Sequence, residues 1–365
     1  MKTIRSIAVI GALFLLCGPL KADKAGRKPV LRPTAVKPLE LSAWLAFWDG
    51  PTHRSFESFK AHVGRLARVY PEAYLTQPDG TPGRVLSTRP EDLAQTVALA
   101  HAHGVKVLGQ VQNWDYRTNG FDAVRVEKFL RDKGSREKHI SALLSLAQGD
   151  HLDGLSLDYE GLGAVDRDAY SAFVSDLCGR AHALGMQVGV ALYAKESEPG
   201  GWSGAQSQDD AALGKAADVV QVMTYDFHWA TGPPGSLAPP AWFRSSGAFA
   251  ASRINPDKVE LGVNAYGYAW RPKGETLGWQ SFLALIARSG RPVRDPDTLE
   301  LKLSLQDGEA WMPDARTSGY KFKIARELGV RGVHLFELGE EDPATWNEWD
   351  RSSAAGSGPS NPSWP

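Results

Sequence analysis

The sequence predicts an α/β protein built as a (β/α)8 TIM barrel. Short apolar stretches recur eight times, and helical patterns fall between most of them. Two of these helical patterns end in glycine just before the next apolar stretch, at Gly104 and Gly185. No Gly-x-Gly-x-x-Gly follows an early strand, which disfavours the alternative of a doubly wound open sheet. The expected strands lie near 41–48, 69–75, 105–112, 153–160, 186–194, 218–226, 258–268 and 330–338.

The helical patterns include Asp92–His103, Glu137–Gln148 and Ala169–Leu184. Between the seventh and eighth strands, residues 271–313 are longer than one helix needs. The alternating stretches Leu301–Leu305 and Glu309–Met312 therefore predict a small β-insertion between strands 7 and 8.

The chain starts with a basic segment, Met1–Arg5, followed by an apolar run from Ser6 to Leu16 that is too short to span a bilayer. This pattern predicts a signal peptide over residues 1–22, with cleavage after Ala22, and a secreted or periplasmic protein. A buried first strand or an uncleaved anchor are the alternatives. A lipoprotein anchor at Cys17 is disfavoured because a bulky leucine precedes it.

Three further regions follow the predicted signal peptide. Residues 23–40 are rich in lysine, arginine and proline and predict a linker, residues 41–350 hold the barrel, and residues 351–365 predict a disordered tail. No membrane-spanning segment is expected after residue 22.

The composition indicates a globular protein with a neutral partner. Hydrophobic residues make up 42% and charged residues 23%, and the net charge is −1 without a basic tract for nucleic acid. We expect a monomer. The chain contains 12 tryptophans, and aromatic side chains suit carbohydrate because sugar rings present C–H faces to them.

The stretch Asp153–Glu160 is the candidate catalytic strand. Its period-two alternation places Ser156, Asp158 and Glu160 on one face of a strand. In a barrel covered by helices, that face would lie inside the fold, where burying charge is costly unless the site uses it. The same pattern on an exposed edge strand would merely be solvated.

Aromatic and acidic residues also follow the ends of the other predicted strands. The C-terminal ends of barrel strands meet at one mouth, where TIM-barrel active sites lie. Taken singly, each aromatic is an ordinary core residue by strand propensity, but the set predicts a carbohydrate-binding mouth. The candidate substrate-binding residues are Trp48, Trp114, Tyr193, Asp226, Tyr266, Trp270 and Phe336.

Four motifs resemble those of family-18 glycoside hydrolases, the chitinase-like (β/α)8 enzymes. They are Asp153-Gly-Leu-Ser-Leu-Asp-Tyr-Glu160, Val222-Met-Thr-Tyr-Asp226, Asn255–Trp270 and Gly332–Asp342, and the resemblance covers residues 41–349. Within the family, Val69–Gly80 and Trp311–Lys321 are similar to the spore-cortex and peptidoglycan-hydrolase branch, although no LysM repeat is evident.

The resemblance implies retaining, substrate-assisted hydrolysis next to N-acetylglucosamine, without a cofactor. Glu160 would be the general acid and base, and Asp158 would orient the 2-acetamido group whose carbonyl oxygen attacks the anomeric carbon. Tyr225 would donate a hydrogen bond to that carbonyl, and Asp226 would contact the substrate near the cleaved bond. The partner expected is a polysaccharide that contains N-acetylglucosamine, from peptidoglycan or chitin-type polymers.

Two residues depart from the family pattern. Ser156 stands where many chitinases have an aspartate, and we expect its hydroxyl to lie at the substrate site and donate one hydrogen bond that keeps Asp158 ionised. Phe336 replaces the usual tryptophan beneath the cleaved sugar. These departures motivate the alternative of a non-catalytic chitinase-like lectin, and a purely structural barrel is a third hypothesis. No metal site is expected, since the histidines lack ligand spacing.

Overall fold

In the computed structural model, residues 38–47 and 53–354 are described. Their main feature is a closed barrel of eight parallel strands, in which the first strand pairs with both the second and the eighth. The predicted (β/α)8 barrel is therefore confirmed. Its strands are β1 (Glu40–Leu45), β2 (Arg68–Thr76), β3 (Lys106–Gln112), β4 (Gly154–Asp158), β5 (Gln187–Tyr193), β6 (Val219–Met223), β7 (Val259–Asn264) and β8 (Gly332–Phe336).

Helices cover the outside of the barrel, and their buried faces pack on the strands. The described residues form eleven α-helices, of which α9 packs in the insertion instead: α1 (Arg54–His62), α2 (Pro90–Ala102), α3 (Ala123–Leu130), α4 (Lys133–Gly149), α5 (Arg167–Ala183), α6 (Ser203–Gln206), α7 (Asp210–Ala216), α8 (Pro240–Arg253), α9 (Trp279–Ser289), α10 (Ala315–Glu327) and α11 (Thr345–Ala354). The three helices anticipated from sequence correspond to α2, α4 and α5.

A polar network fills the N-terminal end of the barrel interior. The fully buried Glu260 accepts hydrogen bonds from the Tyr70 hydroxyl at 2.8 Å and from the Ser42 hydroxyl at 2.9 Å. Arg68 lies 3.1 Å from the same carboxylate and compensates its charge. These contacts join β1, β2 and β7 inside the barrel, so the role of the network is structural.

The insertion between β7 and β8 is a five-stranded antiparallel sheet with its own small hydrophobic core around helix α9. It begins at Gly267, a few residues earlier than the sequence suggested, because β7 ends at Asn264 and the chain turns at once into the first insertion strand. The insertion strands are Gly267–Trp270, Gly274–Leu277, Val293–Arg294, Leu301–Leu305 and Gly308–Met312.

Two short additions raise the rim of the mouth. Pro82–Arg84 pairs with the end of β2, and Trp114–Asp115 forms a small hairpin with Gly120–Phe121 after β3. Among the described residues, none of the helices combines the length and apolarity needed to cross a bilayer.

Several predictions concern the chain ends. The predicted signal peptide, Cys17, residues 23–37 of the predicted linker and residues 355–365 of the predicted tail lie outside the described residues. Leu39 is buried in the barrel core, so the end of the predicted linker belongs to the fold. Helix α11 extends to Ala354, so residues 351–354, predicted to belong to a disordered tail, are helical.

Candidate active site

Two carboxyl groups, those of Asp158 and Glu160, lie at the C-terminal end of β4, at the mouth of the barrel. The strand ends at Asp158, two residues before the predicted end, and Glu160 follows in the loop. Asp158 is 6% exposed, and its Oδ2 accepts a hydrogen bond from the Gln110 side-chain amide at 2.8 Å. Its Oδ1 has no hydrogen-bond partner within the protein. One acceptor on Asp158 therefore remains unsatisfied within the protein.

The protonation of this pair differs from that of ordinary carboxyl groups. Burial raises the pKa of Asp158 to about 7. The pKa of Glu160 is raised well above its ordinary value, first by burial and then by the negative charge of Asp158, with a smaller contribution from Asp226. Two neighbouring carboxyls in an enclosed site do not readily ionise together, so the pair retains a proton at neutral pH.

The backbone of Glu160 is held from β3. The Asn113 side-chain amide donates to the Glu160 carbonyl at 2.8 Å, and its oxygen accepts from the Glu160 N–H at 3.0 Å. Gly161 adopts φ of 76°, a conformation that a side chain would strain, and its N–H donates to the Tyr193 hydroxyl at 3.0 Å. Tyr193 in turn donates to the Glu160 carboxyl. The catalytic candidate is thus fixed from both neighbouring strands.

Asp226 follows β6 on the far side of the mouth, next to Tyr225. Asp226 has φ of 58°, which is uncommon outside glycine. Its Oδ1 accepts hydrogen bonds from the Tyr266 hydroxyl at 2.5 Å and from the Tyr268 hydroxyl at 3.2 Å. These two contacts hold the carboxylate in place despite the unfavourable backbone.

An aromatic cluster surrounds the end of β8. The Phe336 ring stacks on Tyr225 with centroids 5.3 Å apart, and it meets Trp44 and Tyr266 edge-on at 5.5 and 5.9 Å. Phe336 itself is partly exposed. It therefore presents an apolar surface beside Tyr225, the catalytic candidate that follows β6.

A pocket of about 410 Å³ opens beside this cluster, between the barrel and the insertion. A pocket of this size matches a small ligand or one to two sugar units. It is lined by Arg54, Asp226, Tyr266, Tyr268, Thr276, Gly278, Ser281, Phe336, Glu337 and Glu340.

Two candidate substrate residues occupy different positions from those expected. Ser156 is fully buried, and its hydroxyl donates to Gln221 at 2.7 Å rather than to Asp158, which Gln110 serves instead. Trp270 is 3% exposed because it belongs to the first insertion strand, where it packs against Tyr268. Both side chains are buried and therefore pack behind the residues that line the mouth.

The remaining predicted residues have three different outcomes. Tyr193, Tyr225, Asp226, Tyr266 and Phe336 gather around the mouth, as the preceding contacts show. Trp114 is partly exposed in the rim hairpin, edge-on to Phe121 at 4.9 Å. Trp48 lies outside the described residues.

Four residues that the sequence analysis left out of the candidate site help to build it: Glu72, Gln110, Asn113 and Tyr268. Gln110 and Gln112 alternate along β3, and inward-facing amides on a barrel strand were a usable signal. Glu72 was also visible as a lone acid within a strand that is buried throughout. Within residues 38–47 and 53–354, no group of three or more histidine, cysteine or acidic residues could hold a metal ion.

Comparison with known proteins identifies the family. The model of glycosyl hydrolases family 18 matches residues 71–341, which is most of the chain and includes all of β3 to β8. The chain belongs to this family. The predicted family-18 resemblance is therefore confirmed, and the protein is an enzyme of the glycosidase class.

Individual relatives agree with this assignment. The chain is 26% identical over 274 residues to an uncharacterized glycosylase, YvbX, of Bacillus subtilis, a match covering 72% of this chain and 79% of the relative. It is 26% identical over 239 residues to a cortical fragment-lytic enzyme of Bacillus anthracis, covering 62% of this chain and 55% of that protein. The predicted likeness to the spore-cortex branch is thus confirmed.

The fold is shared with solved structures. The Bacillus cereus spore cortex-lytic enzyme SleL superposes with a TM-score of 0.77 at 22% identity, over 86% of this chain and 74% of that one.

Proposed function

We propose that this family-18 glycosidase is exported and cleaves β-glycosidic bonds next to N-acetylglucosamine in peptidoglycan or chitin-type glycans. The observation that carries the proposal is the buried Asp158–Glu160 pair at the mouth of the barrel, where burial raises the pKa of both carboxyls. A proton held near neutral pH is what a general acid needs to protonate a leaving oxygen.

The proposed reaction is retaining and substrate-assisted. Glu160 donates its proton to the glycosidic oxygen while the carbonyl oxygen of the substrate's own acetamido group attacks the anomeric carbon. The unpartnered Oδ1 of Asp158 accepts the acetamido N–H, and the Tyr225 hydroxyl donates to the acetamido oxygen. The protonated leaving sugar departs as its bond to the anomeric carbon breaks. Water, deprotonated by Glu160, then attacks the same carbon and displaces the acetamido oxygen, which restores the original configuration.

The aromatic cluster supports the placement of the cleaved sugar. The partly exposed face of Phe336 provides the stacking surface, and Asp226, fixed by two tyrosines, accepts a sugar hydroxyl. Peptidoglycan is the first substrate to test, since the relatives include proteins named cortical fragment-lytic enzymes.

Export rests on the sequence of the first 22 residues, a basic segment followed by a short apolar run. Such glycans lie outside the cytoplasmic membrane, so the proposed substrate and the proposed destination agree. N-terminal sequencing of the mature protein from its native host should begin at Asp23, and an unprocessed Met1 in the mature protein would contradict export by this route.

The test of activity compares purified wild type with Glu160→Gln on N-acetylglucosamine oligomers and on peptidoglycan. General acid–base catalysis typically contributes 10²–10⁴-fold, so the variant should lose at least about 100-fold in product release. Glu91→Gln, the same change at an exposed position on α2, is the matched control and should retain full activity.

The outcomes separate the hypotheses. Turnover by wild type and by Glu91→Gln, but not by Glu160→Gln, supports the proposed glycosidase. Binding of oligomers by wild type with no turnover on any substrate would favour the lectin-like alternative. Equal turnover by all three proteins would mean that Glu160 is not the acid.

A further inference from the structure

Ser156 does not contact Asp158, so the support of Asp158 that we expected from Ser156 must come from another residue. Ser156 stands where the family pattern led us to expect an aspartate, and the structure pairs its hydroxyl with Gln221. Asp158 is instead supported from the opposite direction, by Gln110 on β3. On the side of β3 that faces away from β4, the neighbouring strand β2 carries another buried carboxyl group.

That group is Glu72 on β2. Glu72 pairs with Gln110 in the strand register, and Gln110 pairs with Ser156, so the three positions lie side by side on consecutive strands. The register shifts immediately after Glu72, and such bulges re-aim side chains near barrel rims. Glu72 is 4% exposed, which removes it from solvent as thoroughly as Asp158.

Each of the three side chains has one buried atom that no protein group satisfies. These atoms are Oε2 of Glu72, Oε1 of Gln110 and Oδ1 of Asp158. The amide nitrogen of Gln110 is already engaged with Asp158, so its oxygen requires a donor from elsewhere. An ionised Glu72 has no proton to donate, whereas a protonated Glu72 has one O–H group, which can donate to Oε1 of Gln110.

The surroundings of Glu72 favour the protonated form. Its pKa is raised well above the ordinary value, first by burial and then by the charges of Glu337 and Asp158. The hydroxyl of Tyr116 on the rim is also within electrostatic range. Glu337 and Asp158 carry negative charge when ionised and so disfavour a further negative charge at Glu72, whereas the Tyr116 phenol is neutral at neutral pH and adds no charge.

We propose that Glu72 supports the catalytic pair from β2, as a positioning residue that is protonated in the active enzyme and donates to the amide oxygen of Gln110. Gln110 then donates to Oδ2 of Asp158, which leaves Oδ1 for the substrate. The relay Glu72–Gln110–Asp158 thereby takes the role of the aspartate that the family pattern places at position 156, and it supports Asp158 from β2 and β3. The catalytic consequence rests on the proposed function, but the protonation of Glu72 does not.

The first experiment measures protonation directly by infrared spectroscopy at neutral pH. The catalytic acid is removed from the spectrum by working in Glu160→Gln, and this protein is compared with Glu160→Gln/Glu72→Gln. We expect a carbonyl band of a protonated carboxylic acid in the first protein that is absent from the second. A difference spectrum that shows only loss of an ionised carboxylate would overturn the proposal.

The second experiment measures turnover in variants of Glu72 alone. Glu72→Gln retains a donor for Gln110 and should keep kcat within about 3-fold of wild type, whereas Glu72→Met removes the donor and should lose about 10- to 100-fold in kcat with little change in KM. Thermal unfolding confirms that each variant is folded. Equal loss in both variants, or no loss in either, would contradict the relay.

The two experiments distinguish the two proposals. If wild type cleaves none of the glycans, the proposed function fails, while the infrared comparison still decides whether Glu72 is protonated. If wild type is active and depends on Glu160, but Glu72→Met behaves like wild type, the relay alone fails.

Discussion

The chemistry of Glu160 is set by its immediate neighbours. Burial and the charge of Asp158 raise its pKa, whereas the hydrogen bond from Tyr193 lowers it because that bond favours the ionised carboxylate. Asn113 meanwhile holds the backbone of Glu160 and has no charge to contribute. Protonation and orientation of the acid are thus controlled by different residues, which allows them to be separated experimentally.

We predict that Tyr193→Phe raises the pKa of Glu160, since the substitution removes the one neighbouring contact that favours its ionised form. The alkaline limb of kcat/KM, where the acid loses its proton, should therefore move to higher pH. We also expect kcat to fall by about 3- to 10-fold, because the carboxyl loses a fixed partner. The measurement is a pH–rate profile on the best glycan substrate.

The control for this prediction is Tyr320→Phe, the same change at a partly buried tyrosine on α10. Its profile should match wild type. An alkaline limb that moves to lower pH in Tyr193→Phe would show that the tyrosine stabilises the neutral acid instead.

At the scale of elements, β7 provides room for the catalytic tyrosine of β6. A Cβ placed on Gly262 would lie 2.5 Å from Cε1 of Tyr225 and 2.9 Å from Nε2 of His334. The Tyr225 ring is also packed on Phe336, so it has little freedom to retreat. Because Gly262 on β7 has no side chain, the Tyr225 ring can occupy its position beside that strand.

We predict that Gly262→Ala displaces Tyr225 and lowers kcat by about 10-fold or more, because complete loss of one donor to the reacting group costs about 100- to 1000-fold and displacement weakens the same contact. The matched control is Gly189→Ala on β5, whose added Cβ would meet Ser156 Oγ at 3.3 Å and Gln221 Oε1 at 3.4 Å. Kinetics of both variants on the same oligomer test the prediction. Equal losses would indicate a general effect of barrel distortion.

At the scale of the whole molecule, a buried lysine ties the insertion to the barrel. Lys321 on α10 donates to Asn264 at the end of β7 at 2.7 Å and lies 3.8 Å from Glu300 of the insertion region, with both charged side chains fully buried. Glu300 also accepts the N–H groups of Leu237 and Ala238, which follow β6. The insertion, the β6 loop and the barrel therefore share one charged network.

We predict that Lys321→Met lowers the free energy of unfolding by about 3 kcal/mol or more, because it leaves a buried carboxylate without its cation. Adding Glu300→Gln should recover part of this loss, so the double variant will be less destabilised than the sum of the single variants. Denaturant unfolding of the four proteins measures the coupling.

The matched control lies on the same helix. Lys323 is also 3.8 Å from a carboxylate, that of Glu327, but both side chains are about half exposed. Lys323→Met should change the free energy of unfolding by less than about 1 kcal/mol. If the two lysine substitutions have the same effect, burial does not determine the strength of the Lys321 network.

The architecture was predictable from local patterns. Apolar stretches of strand length, helix-ending glycines and an overlong segment before the last strand led to the barrel and its insertion, because alternation and capping are read within a few residues. The limits of β4 and β7 were placed too late, since the chain leaves the sheet while its residues still alternate. This error put Trp270 at the mouth instead of in the insertion.

The sequence by itself determined the fold class, the family motifs and the positions of Asp158, Glu160, Tyr225 and Asp226 at the strand ends. Only the tertiary structure decided which partner each polar group has. Ser156 is bound to Gln221, and Gln110 from another strand supports Asp158. The physical reason is that hydrogen bonds across a barrel join residues far apart in the chain, and their geometry depends on how neighbouring strands align. The supporting role that we infer for Glu72 depends on that alignment.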